Sequence, residues 1–329
     1  MNQKKSIRIN TTMLATPEKN KLTVIIAFRN EGDEVEKTVQ SVRDTTDESL
    51  VPIILMDDGS DDGVDYKAVA EKYDCEYHKY PKSVGPAIAR TMGARWCKTD
   101  KFVFIDGHMR FFDQDWNKRV CKILDENPRI ILCSGTTNIV PGKEEENRGN
   151  SAACIKINDE PGSEYNALWS VDMKDFEGEL MEVPCVLGAF YAFKKSFWEE
   201  IRGLSGLAGY GFEEPFMSLK TWYLGGKCLI LRDFYVGHLY RDIPKVPISS
   251  EKFYANQMML IDVFTVNQKE RESRLERYRN MFDKGMLAKI DEVTAKQKKN
   301  IDDLKEYIRE HGDPEGIKKF WKINAERHP

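Results

Sequence analysis

The sequence predicts an α/β fold, a mostly parallel sheet with helices on both faces, followed by a helical C-terminal extension. Three observations predict it. Short apolar runs alternate with helically spaced segments from residue 21 to residue 110, two of the runs close on acidic clusters, and beyond Ser250 the composition turns to Lys, Glu, Arg and Asp with apolar residues at helical spacing. Strand and helix in alternation bury both faces of a parallel sheet and leave ligand sites at the carboxyl ends of strands.

The elements follow in order. Residues 1–20 are polar and aperiodic and read as a flexible arm. Leu22 to Phe28 reads as a buried strand and Glu34 to Val42 as a helix. Pro52 to Met56 is a second strand that ends on the turn-forming run Asp57-Asp58-Gly59-Ser60-Asp61-Asp62-Gly63. A helix over Tyr66 to Tyr73, a strand over Glu76 to Tyr80 and a helix over Pro86 to Trp96 come next, then a buried strand, Phe102 to Ile105, ending at Asp106-Gly107-His108. Residues 141–180 are polar and weakly periodic, as an excursion over the active-site face would be. Regular structure resumes over Val183 to Phe193, and two or three amphipathic helices follow Ser250. The division expected is a 1–20 arm, a 21–250 catalytic domain and a 251–329 helical extension.

Composition narrows the function classes. The net charge of -4 gives no overall pull toward nucleic acid or anionic membrane. Seven scattered cysteines form no C-x-x-C pair and read as reduced, mostly buried thiols. No apolar run reaches the length of a spanning helix, so the expectation is a cytoplasmic protein without a membrane anchor.

Asp106 and His108 flank a glycine at a strand end, where positions i and i+2 of an extended chain point to one side. A carboxylate beside an imidazole suits Mn²⁺, with Mg²⁺ the second choice. His238, which ends the apolar stretch Phe234 to Gly237, can supply a third ligand or can simply be a hydrogen-bonded strand-end histidine. Asp57 or Asp58 stands where a carboxylate would accept hydrogen bonds from a nucleoside's base and ribose, or else the pair merely terminates a strand. Gly188 permits close approach of a substrate, or tight strand packing. Tyr210-Gly211-Phe212-Glu213-Glu214 joins an aromatic ring to two carboxylates, a combination that serves carbohydrate sites and equally favours a helix N-terminus.

Four ordered segments resemble a known family. Val24 to Glu31, Phe104 to His108, Gly188 to Tyr191 and Val236 to Arg241 are similar to landmarks of the family 2 glycosyltransferases with the Rossmann-like type A nucleotide-diphospho-sugar transferase fold, and of the related polypeptide N-acetylgalactosaminyltransferases. The resemblance covers residues 20–245. It implies Mn²⁺ held by Asp106, His108 and His238, and a UDP-sugar donor bound among Phe28, Asn30, Glu31, Asp57, Asp58, Arg90 and Gly188. It also implies Glu213 in the sugar and acceptor pocket, Arg241 neutralising the departing diphosphate, and retention of anomeric configuration. The acid segment departs from the family's Trp-Gly-Gly-Glu-Asn and leaves the sugar open. The acceptor stays open among a protein Ser or Thr, a glycan and a hydroxymethylated DNA base, a homodimer through the C-terminal helices is allowed, and a bacterial or phage source is consistent. Two other classes compete. A nucleotidyltransferase would show a Gly-rich phosphate loop where Arg29-Asn30-Glu31 stands, and a non-catalytic nucleotide-sugar-binding module would bind without turnover.

Overall fold

The computed structural model describes residues 18–47, 49–139, 153–157, 163–169, 178–240 and 248–327. In its first half β1 (Glu18–Phe28), α1 (Glu34–Thr45), β2 (Ile53–Asp57), α2 (Tyr66–Lys72), β3 (Glu76–Lys79), α3 (Pro86–Trp96) and β4 (Thr99–Asp106) alternate as the periodicity requires. The strands pair in parallel in the order β3-β2-β1-β4. β1, β2 and β4 are apolar on both faces because both are covered, whereas the edge strand β3 is polar and partly exposed. Val24, Ile26, Ile53, Leu55, Val103 and Ile105 pack on one side with Val35, Val39 and Val42 of α1. Ile25, Ile54, Met56, Phe102 and Phe104 pack on the other, where α3 lies.

The second half runs through β5 (Met109–Phe111), α4 (Trp116–Glu126), β6 (Ile130–Asn138), β7 (Ala153–Ile155), β8 (Ala167–Trp169), β9 (Leu180–Glu182), β10 (Phe190–Lys194), α5 (Lys195–Glu200), α6 (Glu213–Tyr223) and β11 (Lys227–His238). The sheet continues β4-β10-β6-β11-β5, with β9 also on β11, while β7 and β8 form a separate pair. It is mixed, not mostly parallel. β10 runs antiparallel to both β4 and β6, and β5 and β9 run antiparallel to β11. The cause lies in where β10 begins: its first residue, Phe190, pairs with Ile105 at the carboxyl end of β4, so the chain enters the sheet from the cleft rim. Regular structure also does not span Val183 to Phe193, since residues 183–189 form the irregular rim that precedes β10. Most of the 141–180 excursion lies outside the described residues.

β11 pairs in parallel with β6, and its register shifts between Leu231 and Tyr235, where Asp233 takes φ 57. Such a bulge re-aims a strand without ending it. Here it lets β11 continue to His238.

Four helices, not two or three, follow residue 250: α7 (Ser250–Phe264), α8 (Gln268–Asn280), α9 (Lys284–His311) and α10 (Pro314–Arg327). The extra breaks have local causes. Asn267 and Asp283 each cap a new helix by accepting from a backbone N–H two or three residues into it. The apolar faces are used within the chain, with Phe264, Ile290, Ile301, Leu304 and Phe320 buried in the core on the α3 side of the sheet. Tyr223 of α6 packs edge-on against Phe264 and Phe320. On α10, the Asn324 amide donates to Ile155 O at 2.9 Å and accepts from Ile155 N at 2.7 Å, binding β7 as a strand neighbour would. None of the seven cysteines is in a disulfide, and six of them are buried. Among the described residues no helix is long and apolar enough to cross a membrane.

Candidate active site

A cleft of about 670 Å³ opens at the carboxyl ends of β1, β4 and β11. Three side chains converge there. Asp106, the last residue of β4, His108 and His238, the last residue of β11, bring one ligand atom each within 4.8 Å of one another. His108 does not arrive by strand alternation: β4 ends at Asp106, and a turn through Gly107 swings His108 back over the strand end. That turn presses on β1, since a Cβ at Gly107 would come 2.8 Å from Phe28 Cβ and 3.1 Å from Glu31 Cγ. β5 then pairs with β11, and the Leu239 N–H donates to His108 O, which fixes His108 opposite His238.

His108 Nε2 and His238 Nε2 stand 3.1 Å apart, and His238 Nε2 is 3.6 Å from Asp106 Oδ2. The other oxygen of Asp106 is held by Arg90 Nη2 at 2.7 Å. Burial disfavours the Asp106 charge, yet the Arg90 guanidinium and the two imidazoles hold its carboxyl well below the usual range. Glu31 Oε2 lies 3.1 Å from His108 Nδ1, on the opposite side of that ring. The contact is electrostatic and not an aligned hydrogen bond, and a carboxylate at that distance favours a proton on Nδ1, which leaves the Nε2 lone pair toward His238. Two imidazole nitrogens and a carboxylate oxygen at these separations make a donor set that fits a borderline divalent cation.

The remaining candidates separate into two groups. Phe28, Glu31, Asp58, Arg90, Gly188 and Glu213 line the cleft. Asn30 and Asp57 do not. Asn30, with φ 54, exchanges hydrogen bonds of 2.8 Å with Asp61 and so knits the loop after β1 to the loop after β2. Asp57 is buried and spends its oxygens on Ser60 N–H at 2.7 Å and Tyr77 OH at 2.8 Å. Asp58 accepts from Ser83 Oγ at 2.6 Å and from the N–H groups of Val84 and Gly85, which braces the loop ahead of α3. Arg241 lies outside the described residues.

Gly188 takes φ +113 at the rim, and a Cβ there would collide with Thr136 Oγ1. It is therefore a rim glycine and not part of a strand. Glu213 opens α6 behind the left-handed Phe212, accepts from Gly211 N–H at 3.0 Å and leaves Oε1 buried without a hydrogen-bond partner. Burial and the neighbouring Glu214 push its carboxyl up to about 7. Glu214 is bound by Tyr191 OH at 3.0 Å.

Sequence reasoning passed over Arg29, Tyr191, Tyr240 and Trp169, all of which line the cleft, as does Glu214 of the acid segment. Arg29 and Tyr191 sit inside segments already singled out, so the signal was present. Trp169 comes from the polar excursion, where nothing local marks it. At the mouth Trp169, Tyr210 and Tyr240 are 36%, 39% and 46% exposed, which gives the cleft an aromatic rim.

A Rossmann-like α/β sheet with a carboxylate and two imidazoles at its carboxyl edge is the architecture of an enzyme cleft, and the comparisons with known proteins give the class. The chain belongs to the glycosyl transferase family 2, whose family model matches residues 23–197. It is 28% identical over 236 residues to polypeptide N-acetylgalactosaminyltransferase 8 of Drosophila melanogaster, covering 67% of this chain and 38% of the relative. To N-acetylgalactosaminyltransferase 7 of Mus musculus it is 28% identical over 286 residues, covering 75% and 41%. The chain thus spans under half the length of these curated relatives. Among solved structures, GalNAc-T7 with UDP, GalNAc and Mn²⁺ matches with a TM-score of 0.61 at 22% identity, over 76% of this chain and 49% of that one. S. aureus TarS 1-349 in complex with UDP-GlcNAc matches with a TM-score of 0.53 at 13% identity, over 93% and 90%. The fold is that of the type A glycosyltransferases.

Proposed function

We propose that this enzyme transfers a sugar from a UDP-sugar, of the N-acetylhexosamine or hexose type, to a hydroxyl acceptor, with Mn²⁺ or, second, Mg²⁺ held by Asp106, His108 and His238. The observation that carries the reading is the convergence of those three side chains within 4.8 Å at the edge of the cleft. Support comes from the similar structures, one of GalNAc-T7 with UDP, GalNAc and Mn²⁺ and the other of TarS 1-349 in complex with UDP-GlcNAc.

When bound, the cation supplies charge neutralisation to the diphosphate leaving group. The chain's own residues do the rest. Arg90 fixes the Asp106 carboxylate, Glu31 fixes His108, and Arg29 and Arg90 add positive potential to the cleft. Asp58 holds the loop after β3 against the nucleoside, and Gly188 lets the sugar approach the backbone. Glu213, with a free Oε1, hydrogen-bonds the sugar or the acceptor. Arg241 acts on the departing diphosphate. For retention, the acceptor hydroxyl attacks on the face from which the diphosphate leaves, which makes positioning the main contribution of the protein. A polypeptide, accepting through a Ser or Thr hydroxyl, is the acceptor class we favour, since the Drosophila melanogaster relative's name says polypeptide, with a glycan or modified base as alternatives. A division near residue 250 into catalytic body and helical extension, and a cytoplasmic location, belong to the same reading, the latter supported by seven cysteines none of which is in a disulfide.

The test is nucleoside diphosphate release from a panel of nucleotide sugars, with Mn²⁺, Mg²⁺ or chelator. UDP release that needs Mn²⁺ and is lost in Asp106→Ala, with the fold retained by circular dichroism, is the expected result. Pyrophosphate as product would sink the reading in favour of nucleotidyl transfer, and full turnover by Asp106→Ala would sink the metal assignment.

A further inference from the structure

A second cavity, of about 340 Å³, lies away from the Asp106 cluster between the excursion and the C-terminal helices. It is at the lower end of the range of roughly 300–1,000 Å³ typical of small-molecule sites. Its lining is not that of a packing defect. Tyr165 and Thr265 contribute hydroxyls 3.2 Å apart, Asn267 and Glu270 contribute polar side chains from the start of α8, and Trp321 of α10 contributes an indole that is 36% exposed.

The charge of the cavity selects its ligand. Arg274, 93% buried, is bound by Glu164 through Nη1 and by Glu270 through Nη2, and its Nε is buried with no hydrogen-bond partner. Paired with Glu270 in the lining and with Glu164 behind it, the guanidinium has its charge fully offset, so the cavity offers phosphate or carboxylate ligands no net positive charge. A packed apolar ligand fails for the opposite reason, because it would strand the hydroxyls and the Arg274 Nε–H. What satisfies mixed donors and acceptors beside an aromatic face is a neutral polyol with an apolar side, and that is a pyranose ring.

The location gives such a site a use. Tyr165 lines this cavity, while Asn166 to Trp169, the next four residues, line the catalytic cleft. One short strap thus forms a wall of both. A saccharide held on Trp321 sits behind the strap that carries Trp169 to the cleft mouth.

We infer that the Tyr165–Thr265–Glu270–Trp321 cavity is a second binding site, for a neutral saccharide unit, separate from the cleft of the transfer reaction. The claim does not need the donor or metal assignment. Its test is saturation-transfer difference NMR on the full chain with methyl glycosides of neutral hexoses and N-acetylhexosamines. Wild type, Trp321→Ala, Glu270→Gln and the cleft-rim variant Trp169→Ala are compared. The expected result is at least one saccharide whose binding weakens by about tenfold in Trp321→Ala and in Glu270→Gln and persists in Trp169→Ala. Glu270 is exposed, so its variant keeps the test valid if Trp321→Ala fails to fold. No binding by any saccharide, or binding that survives both cavity variants and is lost only with Trp169, overturns the inference. Absence of transferase activity would leave this result standing, and the reverse holds as well.

Discussion

Glu31 and His108 meet at 3.1 Å, carboxylate oxygen to Nδ1, and the same imidazole presents Nε2 to His238 at 3.1 Å on its far side. The ring is thereby held between a buried carboxylate and the other two members of the cluster. Outer carboxylates of this kind fix tautomer and orientation, and their loss costs roughly 10–100-fold in metal affinity. Glu31→Ala should therefore weaken Mn²⁺ binding by about that factor, with Glu31→Gln intermediate because the amide oxygen can still accept from Nδ1–H. Titration calorimetry with Mn²⁺ reads this without any sugar donor. Affinities equal to wild type in Glu31→Ala would remove Glu31 from the site.

Glu213 makes stability depend on pH in a definite direction. Its folded carboxyl is raised from 4.5 to about 7, by burial first and Glu214 second. Between those values the folded state holds the proton more firmly than the unfolded chain does. Stability from this group is complete below pH 4.5 and is lost as pH rises through about 7. Glu213→Gln should flatten that slope and gain on wild type at neutral pH. Urea midpoints across the window check it, and parallel slopes for the two proteins would refute it.

Gly188 is constrained twice, by φ +113 and by Thr136 Oγ1 where a Cβ would stand. Gly188→Ala should cost about 1–3 kcal/mol. Thr136→Ala/Gly188→Ala should recover only part of the loss, since it relieves the clash and leaves the backbone strain. Thermal unfolding of Gly188→Ala, Thr136→Ala and the double variant separates the terms. Full recovery in the double variant would mean that φ contributes nothing.

Much of this was legible locally and some of it was not. β1, β2 and β4 announce themselves because both faces of each strand are covered, so apolar residues run unbroken from Val24 to Ile26 and from Phe102 to Ile105. Pro86 to Trp96 was readable as a helix from a proline at its first turn and apolar spacing behind it. The direction of β10 was not readable, because it depends on pairing Phe190 with Ile105, eighty-five positions earlier, and no local pattern encodes a partner. Asp57 and Asp58 look alike in sequence, and only the contacts with Tyr77 and Ser83 tell the buttress from the cleft residue. The second cavity needs Tyr165 beside Thr265, again a long-range juxtaposition.

Lys220 is the clearest case of a residue whose burial contradicts its type. On α6 it is fully buried, with Nζ on Gly203 O and 4.0 Å from the Phe216 ring centroid. Burial, then Arg202, push the amine well below its usual value. The unfolded chain therefore binds the extra proton from its own lysine value of about 10.4 downward. Stability from this group is present above that value and declines as pH falls toward the folded one. Lys220→Met should stabilise the protein by about 1–3 kcal/mol at neutral pH, with a smaller gain near pH ~10. Denaturation midpoints at the two pH values decide, and a gain that does not shrink with rising pH would exclude the proton as its cause.

The Asn324 amide occupies the backbone of Ile155 from 169 positions away. On a ribosome, the β7 edge emerges long before the side chain that completes it. The strap between the two cavities thus has no fixed wall until α10 has been made and has folded back. An unfinished chain would hold the β1–β4 half of the sheet with the β7–β8 pair still lacking its neighbour, so that wall is completed last.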